Sequence, residues 1–213
     1  METVLQSYKS ETDSKYSRIL TTFKRPLTHP HRNMETELGN LFADLLQVDS
    51  SFEVMLEGSG SIRSKTMGPI ISFQDLKECV PFDAPVYMIE VTGRQFRHMM
   101  RFMLRDEALE EDGHTEFYQV SKGMKMVYSR SRHDFLEFSL NGEEIDDDRH
   151  IRIALQEFHW RNFSDFFDLP AREVITNKKP RMVMTSEFAI FEELLVSMSN
   201  IDSKVEGRIT IVD

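Results

Sequence analysis

Seven histidines and 36 carboxylates in 213 residues make metal ligation the first chemistry to look for, because two oxygen or nitrogen donors at short spacing can share one cation. Asp112-Gly113-His114 and Asp148-Arg149-His150 both have the Asp-x-His spacing. Each sits in an acidic, turn-like stretch, and neither is followed by an Asn-His-Glu or His-x-His segment that would complete a dinuclear centre, so both read as surface loops. His29-Pro30-His31 reads as extended linker, since each residue before a proline avoids the helical region. Cys79 has no basic neighbour in sequence to draw out a thiolate and reads as a small buried hydrophobe. No Gly-x-Ser-x-Gly elbow occurs, so no catalytic residue and no metal ligand is assigned.

Binding chemistry is better represented. Gly58-Ser59-Gly60-Ser61 resembles a phosphate cradle loosely, without the Lys-Ser or Lys-Thr of a phosphate-binding loop. Arg63 follows directly after Ile62, and a guanidinium behind a flexible loop suits bidentate capture of phosphate or carboxylate; a surface salt bridge is the alternative. The dense aromatic run from Phe158 through Trp160, Phe163 and Phe166 to Phe167 offers a stacking platform or core packing, and its density favours the core.

These residues need elements to position them. Residues 1–18 are polar with scattered apolar positions and read as a lead-in or linker; residues 19–213 form the folded unit. A strand is expected at Ile19–Phe23. Asn33 is a candidate N-cap for a helix over about 35–47 whose stripe is Leu38, Leu41, Phe42, Leu45 and Leu46. Strands follow at Phe52–Leu56, Pro69–Ser72 and Val86–Val91, with a helical turn at Phe73–Val80. A second striped helix covers about 94–105 through Phe96, Met99, Met100, Met103 and Leu104. Glu107–Asp112 reads as an exposed acidic loop. Phe117–Tyr128 and Phe135–Leu140 alternate as strands, and Asn141-Gly142 marks a hairpin turn. Ile151–Leu155 is a further strand. Ser186 caps a helix to about 198 carrying Phe188, Phe191, Leu195 and Met198, and Arg208–Val212 closes as a strand. Strands and helices without a regular βαβ beat give an α+β fold with a mixed sheet and packed helices.

Charge limits the partners. Subtracting 36 acidic from 26 basic residues gives −10, a field that repels phosphodiester backbones and anionic membrane surfaces, so neither nucleic acid nor membrane is expected as a partner. One cysteine excludes an internal disulfide, no apolar run approaches a membrane span, and Met1–Asp13 lacks the pattern of a signal peptide, so a cytoplasmic location is expected.

An ordered set of segments then resembles the C-terminal domain of the 5′-nucleotidases. They are Glu35 through Asp44, Gly58-Ser59-Gly60-Ser61-Ile62-Arg63, Asp75-Leu76 leading to Val80-Pro81-Phe82, Glu90-Val91-Thr92-Gly93 and the closing Glu206-Gly207-Arg208-Ile209, spanning about 19–212. The resemblance implies a two-domain hydrolase in which a metallophosphatase domain carries two divalent metal ions and the catalytic Asp-His pair. The C-terminal domain binds the nucleoside part of the substrate and swings it to the metals. This chain matches only the second domain, so the resemblance implies a substrate-binding domain with no cofactor of its own, no hydrolysis by itself, a nucleoside or nucleotide ligand, and a metallophosphatase domain as partner in cis or trans. Phe82 matches one of two rings that sandwich the base. Phe166 matches the other through Asn162-Phe163-Ser164-Asp165-Phe166, with Phe167 the choice if the alignment slips by one. Arg63 matches an arginine contacting the anionic portion, beside the Gly58, Ser59 and Gly60 loop. Met34 stands where the family usually has a second substrate arginine, which Arg32 could replace if the backbone shifts; Gly58 stands where it usually has a base-reading asparagine, and Asn162, Phe163 and Ser164 replace glycines. The alternative is a non-enzymatic interaction protein that keeps the fold without the ligand.

Overall fold

The computed structural model describes residues 14–48, 50–110, 116–175 and 178–213. Its strands are β1 Ile19–Thr22, β2 Leu27–Thr28, β3 Val54–Gly58, β4 Thr66–Met67, β5 Ile70–Ser72, β6 Val86–Thr92, β7 Tyr118–Val120, β8 Met124–Ser129, β9 Asp134–Leu140, β10 Glu143–Glu144, β11 His150–Gln156, β12 Arg181–Met184 and β13 Ile209–Val212. The helices are α1 Glu37–Leu46, α2 Phe73–Cys79, α3 Gly93–Met103, α4 Asp106–Leu109, α5 Glu157–Arg161, α6 Phe163–Phe167, α7 Ala171–Ile175 and α8 Glu187–Ser197.

A central five-stranded sheet, ordered β12-β6-β11-β3-β7, organises the molecule. β11 and β3 run parallel while the other ladders are antiparallel, so the sheet is mixed. Successive side chains on a strand face opposite ways, and this sheet buries both faces. Val54, Leu56, Ile89, Val91, Ile153 and Leu155 enter one core with α3 and the four-stranded sheet β10-β9-β8-β13. Met55, Met88 and Ala154 enter the other with α1, α2 and α8. The resulting α+β architecture is the expected one, and the striped residues Leu41, Phe42, Leu45, Met99, Met103 and Phe191 are all buried.

Local chemistry sets the element ends. Ser72 with Asp75, and Thr92 with Gln95, form reciprocal capping boxes that satisfy the first N–H groups of α2 and α3. At Asn141-Gly142 both residues have positive φ, 54° and 81°, which the two-residue turn joining β9 to β10 requires.

Several expectations are corrected. Thr36 rather than Asn33 caps α1, accepting from Gly39 N at 3.0 Å. Glu35 stays outside the helix because its carboxylate is buried and takes the Asn40 amide and the Glu206 and Ile209 backbone N–H groups. Asn33 instead donates to the Leu109 carbonyl. Phe117–Tyr128 is two strands in different sheets, parted at residues 121–123, where Gly123 at φ 97° lets the chain turn from one sheet to the other. The acidic stretch begins as the short helix α4, and Asp112 and His114 lie outside the described residues. Met198 ends α8 exposed rather than completing its buried stripe. Of the expected lead-in, residues 1–13 lie outside the described residues, and the Tyr16 ring packs edge-on against Phe73.

Candidate functional site

Because β3 and β11 run parallel while their neighbours β7 and β6 run the other way, the ends of the first pair and the beginnings of the second meet at one end of the sheet. The chain leaves β3 through a single 3₁₀ turn, Ser59–Ser61, and leaves β11 directly into α5. The loop ahead of β6 is tied to both neighbours, since Glu157 N donates to Pro85 O at 2.8 Å and Glu187 N to Ala84 O at 3.1 Å. Arg63 N donates to Cys79 O at 2.7 Å, which holds Arg63 beside the Val80-Pro81-Phe82 segment.

These segments enclose a cleft of about 470 Å³ lined by Arg32, Gly60, Ser61, Arg63, Phe82, Asp83, Ala84, Glu116, Gln156, Phe158 and His159. Two large rings stay open to solvent there, Phe82 at 44% and Phe158 at 60% exposure. The Arg63 guanidinium lies over the Phe82 ring at 5.1 Å, covering one of its faces. Arg32 lines the same cleft, so two cations face it together with the carboxylates Asp83 and Glu116.

The floor is polar and buried. Gln156 donates from Nε2 to Glu187 Oε2 at 2.6 Å and lies 3.5 Å from Glu57 Oε1, while its Oε1 accepts from the Ser61 hydroxyl at 2.9 Å. Glu116 accepts the Gly60 N–H at 2.8 Å and stands 3.7 Å from His159 Nε2. Glu57 Oε2, Tyr118 Oη and His159 Nδ1 are buried with no hydrogen-bond partner among the described residues. Burial, reinforced by the charges of Glu187 and Glu116, raises Glu57 well above the usual carboxylate range. Burial also pushes Glu187 up to about 7, with Asp83 raising it further and the Gln156 and Ala84 hydrogen bonds opposing. His29, outside the cleft, bridges Thr36 Oγ1 and the Ser59 carbonyl, and burial pushes it down to about 4.

Of the residues expected from sequence, Arg63, Gly60 and Phe82 line the cleft together. Phe166 does not line it; its ring packs behind, 5.6 Å from Phe158 and 5.2 Å from His159. Phe167 is fully buried and stacks on Tyr118. Gly58 and Ser59 lie beneath the cleft: a Cβ on Gly58 would fall on the His159 imidazole, and Ser59 Oγ accepts from Gln119. Met34 is exposed and uses its carbonyl to accept from Gln119 Nε2. The sequence reading missed Glu57, Glu116, Gln156 and His159. A usable signal existed, because Glu57 and Gln156 each directly follow three consecutive apolar residues, Val54–Leu56 and Ile153–Leu155, where a polar residue is out of pattern. Cys79 is buried, which pushes its thiol up to about 11, as an inert hydrophobe requires. His150 pairs with Glu90 across β11 and β6, and among the described residues no three His, Cys, Asp or Glu side chains are grouped to hold a metal ion.

Comparison with known proteins places this architecture. A search of curated protein sequences gives no match. Among solved structures, the fold is similar to a 5′-nucleotidase precursor of Thermus thermophilus, with a TM-score of 0.76 at 17% identity over 100% of this chain and 43% of that one. It is similar to the NAD nucleotidase of Haemophilus influenzae, at 0.71 and 13% identity over 99% of this chain and 40% of that one. It is also similar to a Thermus thermophilus sulfate thiohydrolase, at 0.70 and 14% identity over 99% and 38%. The chain thus spans about two fifths of the length of these structures. The family profile described as 5′-nucleotidase, C-terminal domain, matches residues 17–168, and the chain belongs to that family.

Proposed function

We propose that the chain is a substrate-recognition domain for a nucleoside or nucleotide, acting with a metallophosphatase domain supplied in cis or in trans. The observation that carries this reading is one cleft lined by two exposed aromatic rings and two arginines, Phe82 and Phe158 with Arg63 and Arg32. An aromatic face takes a base of any identity, at about 1–3 kcal/mol per stacking contact, while a guanidinium takes an anionic end through two parallel hydrogen bonds. Arg63 covers one face of the Phe82 ring, which leaves the other face for a base. The pairing differs from the sequence expectation: Phe158 supplies the second ring at the cleft, and Phe166 backs it. Arg32 takes the place of the arginine missing at Met34.

In this reading the two divalent metal ions belong to the metallophosphatase domain. The chain alone is expected to release no phosphate from a nucleoside monophosphate with manganese or zinc present, and turnover by the purified chain would contradict this division of labour.

A second reading, an interaction protein that keeps the fold without the ligand, draws on the fold's presence in a protein named as a sulfate thiohydrolase, which shows the scaffold alone does not specify a nucleotide. Calorimetric titration with nucleosides and nucleoside monophosphates separates the two. Saturable heat with both compounds supports recognition of the base and the phosphate; absence of heat with either supports the interaction protein.

A further inference from the structure

The polar floor of the cleft contains a chain of three side chains that reaches from solvent-accessible space to a buried acid. Ser61 and Gln156 both line the cleft, and Glu187 lies behind Gln156 at 1% exposure. The direction of each hydrogen bond in the chain is fixed by the next. An ionised Glu187 can only accept, so Gln156 must turn its Nε2 toward it, at 2.6 Å. Gln156 Oε1 then faces Ser61 and accepts the hydroxyl hydrogen at 2.9 Å. With its only hydrogen used, Ser61 presents nothing but lone pairs to the cleft.

We propose that Glu187 is a positioning residue for ligand specificity: through the Gln156 amide it sets whether the Ser61 hydroxyl meets a ligand as acceptor or as donor, and uptake of a proton by Glu187 reverses it. This rests on the ligand reading of the cleft given above. The reversal follows from donor and acceptor balance. A protonated Glu187 carries a hydrogen that needs an acceptor, and its carboxyl already accepts the Ala84 backbone N–H. The acceptor within reach is the Gln156 amide oxygen, presented once the amide turns over. Gln156 Nε2 then donates to Ser61 Oγ, and the serine hydrogen is released toward the cleft. One proton enters from solvent, Gln156 Nε2 and Oε1 exchange places as the amide rotates, and the Ser61 hydroxyl hydrogen turns toward the cleft.

The charged groups that act on Glu187 are Asp83 in the loop before β6 and Glu57 on β3; Glu57 in turn faces Glu116 ahead of β7, which stands 3.7 Å from His159 on α5, and Arg63 and Arg32 line the same cleft. Burial, with the charge of Glu187 added to it, holds Glu57 well above the usual carboxylate range, and Glu187 is pushed up to about 7, so Glu187 is the acid the proposal takes to change charge.

The test uses the full chain labelled with ¹⁵N. The Gln156 side-chain amide, identified by its loss in Gln156→Ala, is followed as pH is lowered from about 8.5 to about 5.5, which brackets the transition. Its resonance is expected to move with a midpoint near 7 and to stay fixed in Glu187→Gln. Adenosine, which has no titrating group in that range, serves as the ligand probe. Its affinity is expected to change about three- to tenfold across the midpoint in the unaltered chain, and to be flat in Glu187→Gln and in Ser61→Ala, whose side chain packs in no core. An amide that does not titrate, or that titrates equally in Glu187→Gln, overturns the proposal. Adenosine affinity that keeps its pH dependence in Ser61→Ala also overturns it. An amide titration abolished by Glu187→Gln, with no adenosine bound at any pH, upholds the three-residue linkage and overturns the ligand reading instead.

Discussion

A large ring left 44% exposed at a fixed loop position, as Phe82 is, gains nothing from the core and is available to a planar ligand. Phe158 is in the same situation across the segment that leaves β11. Replacing either by alanine is expected to weaken nucleoside binding by about 1–3 kcal/mol with little loss of stability. Phe166→Ala is expected to do the reverse: its ring supports Phe158 and His159 from behind and packs against the core, so melting temperature falls and binding weakens only indirectly. Calorimetry and thermal melts on the three variants check this, and equal binding losses without destabilisation would return Phe166 to the cleft. Part of the cleft lining was readable from residue order. Arg63, Gly60 and Phe82 stand in short motifs whose spacing keeps them together, whereas the second ring depends on how two short helices, α5 and α6, turn the aromatic run. Ten residues separate the end of β11 at Gln156 from Phe167, and no local pattern says which ring that turn leaves outside.

Among the elements, caps and register decide where helices and strands begin and end. Thr92 opens α3 with a reciprocal box, its hydroxyl accepting Gln95 N at 3.2 Å and its own N–H donating to Gln95 Oε1 at 2.9 Å. Thr92→Ala is expected to cost about 1 kcal/mol, measured by urea denaturation, because one orphan N–H of the first turn loses its acceptor. A loss near zero would mean that solvent replaces the hydroxyl at no cost. Helices α1, α3 and α8 were legible because their stripes have the helical period and their faces are buried. The short strands β2, β4, β10 and β12 were not, since two to four residues carry no period and their pairing is decided by the partner strand. The start of α1 was misplaced for a different reason. Glu35 looks like a first-turn acid, but its carboxylate is held by β13 and the segment before it, a contact between residues about 170 apart in sequence.

For the molecule as a whole, two buried groups give stability opposite slopes with pH. Glu187 has a raised value in the fold, about 7 against 4.5, so the native state holds the proton more tightly and stability falls as pH rises through that interval. His29 has a lowered value, about 4 against 6.5, so the unfolded chain takes the proton first and stability falls as pH drops through that interval. Denaturant titrations are expected to show Glu187→Gln gaining about 2–3 kcal/mol over the unaltered chain at pH 8 and losing that advantage by pH 5. A gain that is independent of pH would show that the carboxyl titrates normally in the fold.

The proposed ligand site is the cleft at the end of the five-stranded sheet. It is tested most directly by adding adenosine monophosphate to the ¹⁵N-labelled chain and mapping which backbone amides respond. Saturable shifts are expected at residues 60–63, 82–84, 116 and 156–159, lost in Phe82→Ala. Shifts gathered instead on the arginine-lined face of α3 at Arg94, Arg97 and Arg101, or no shifts at all, would contradict it.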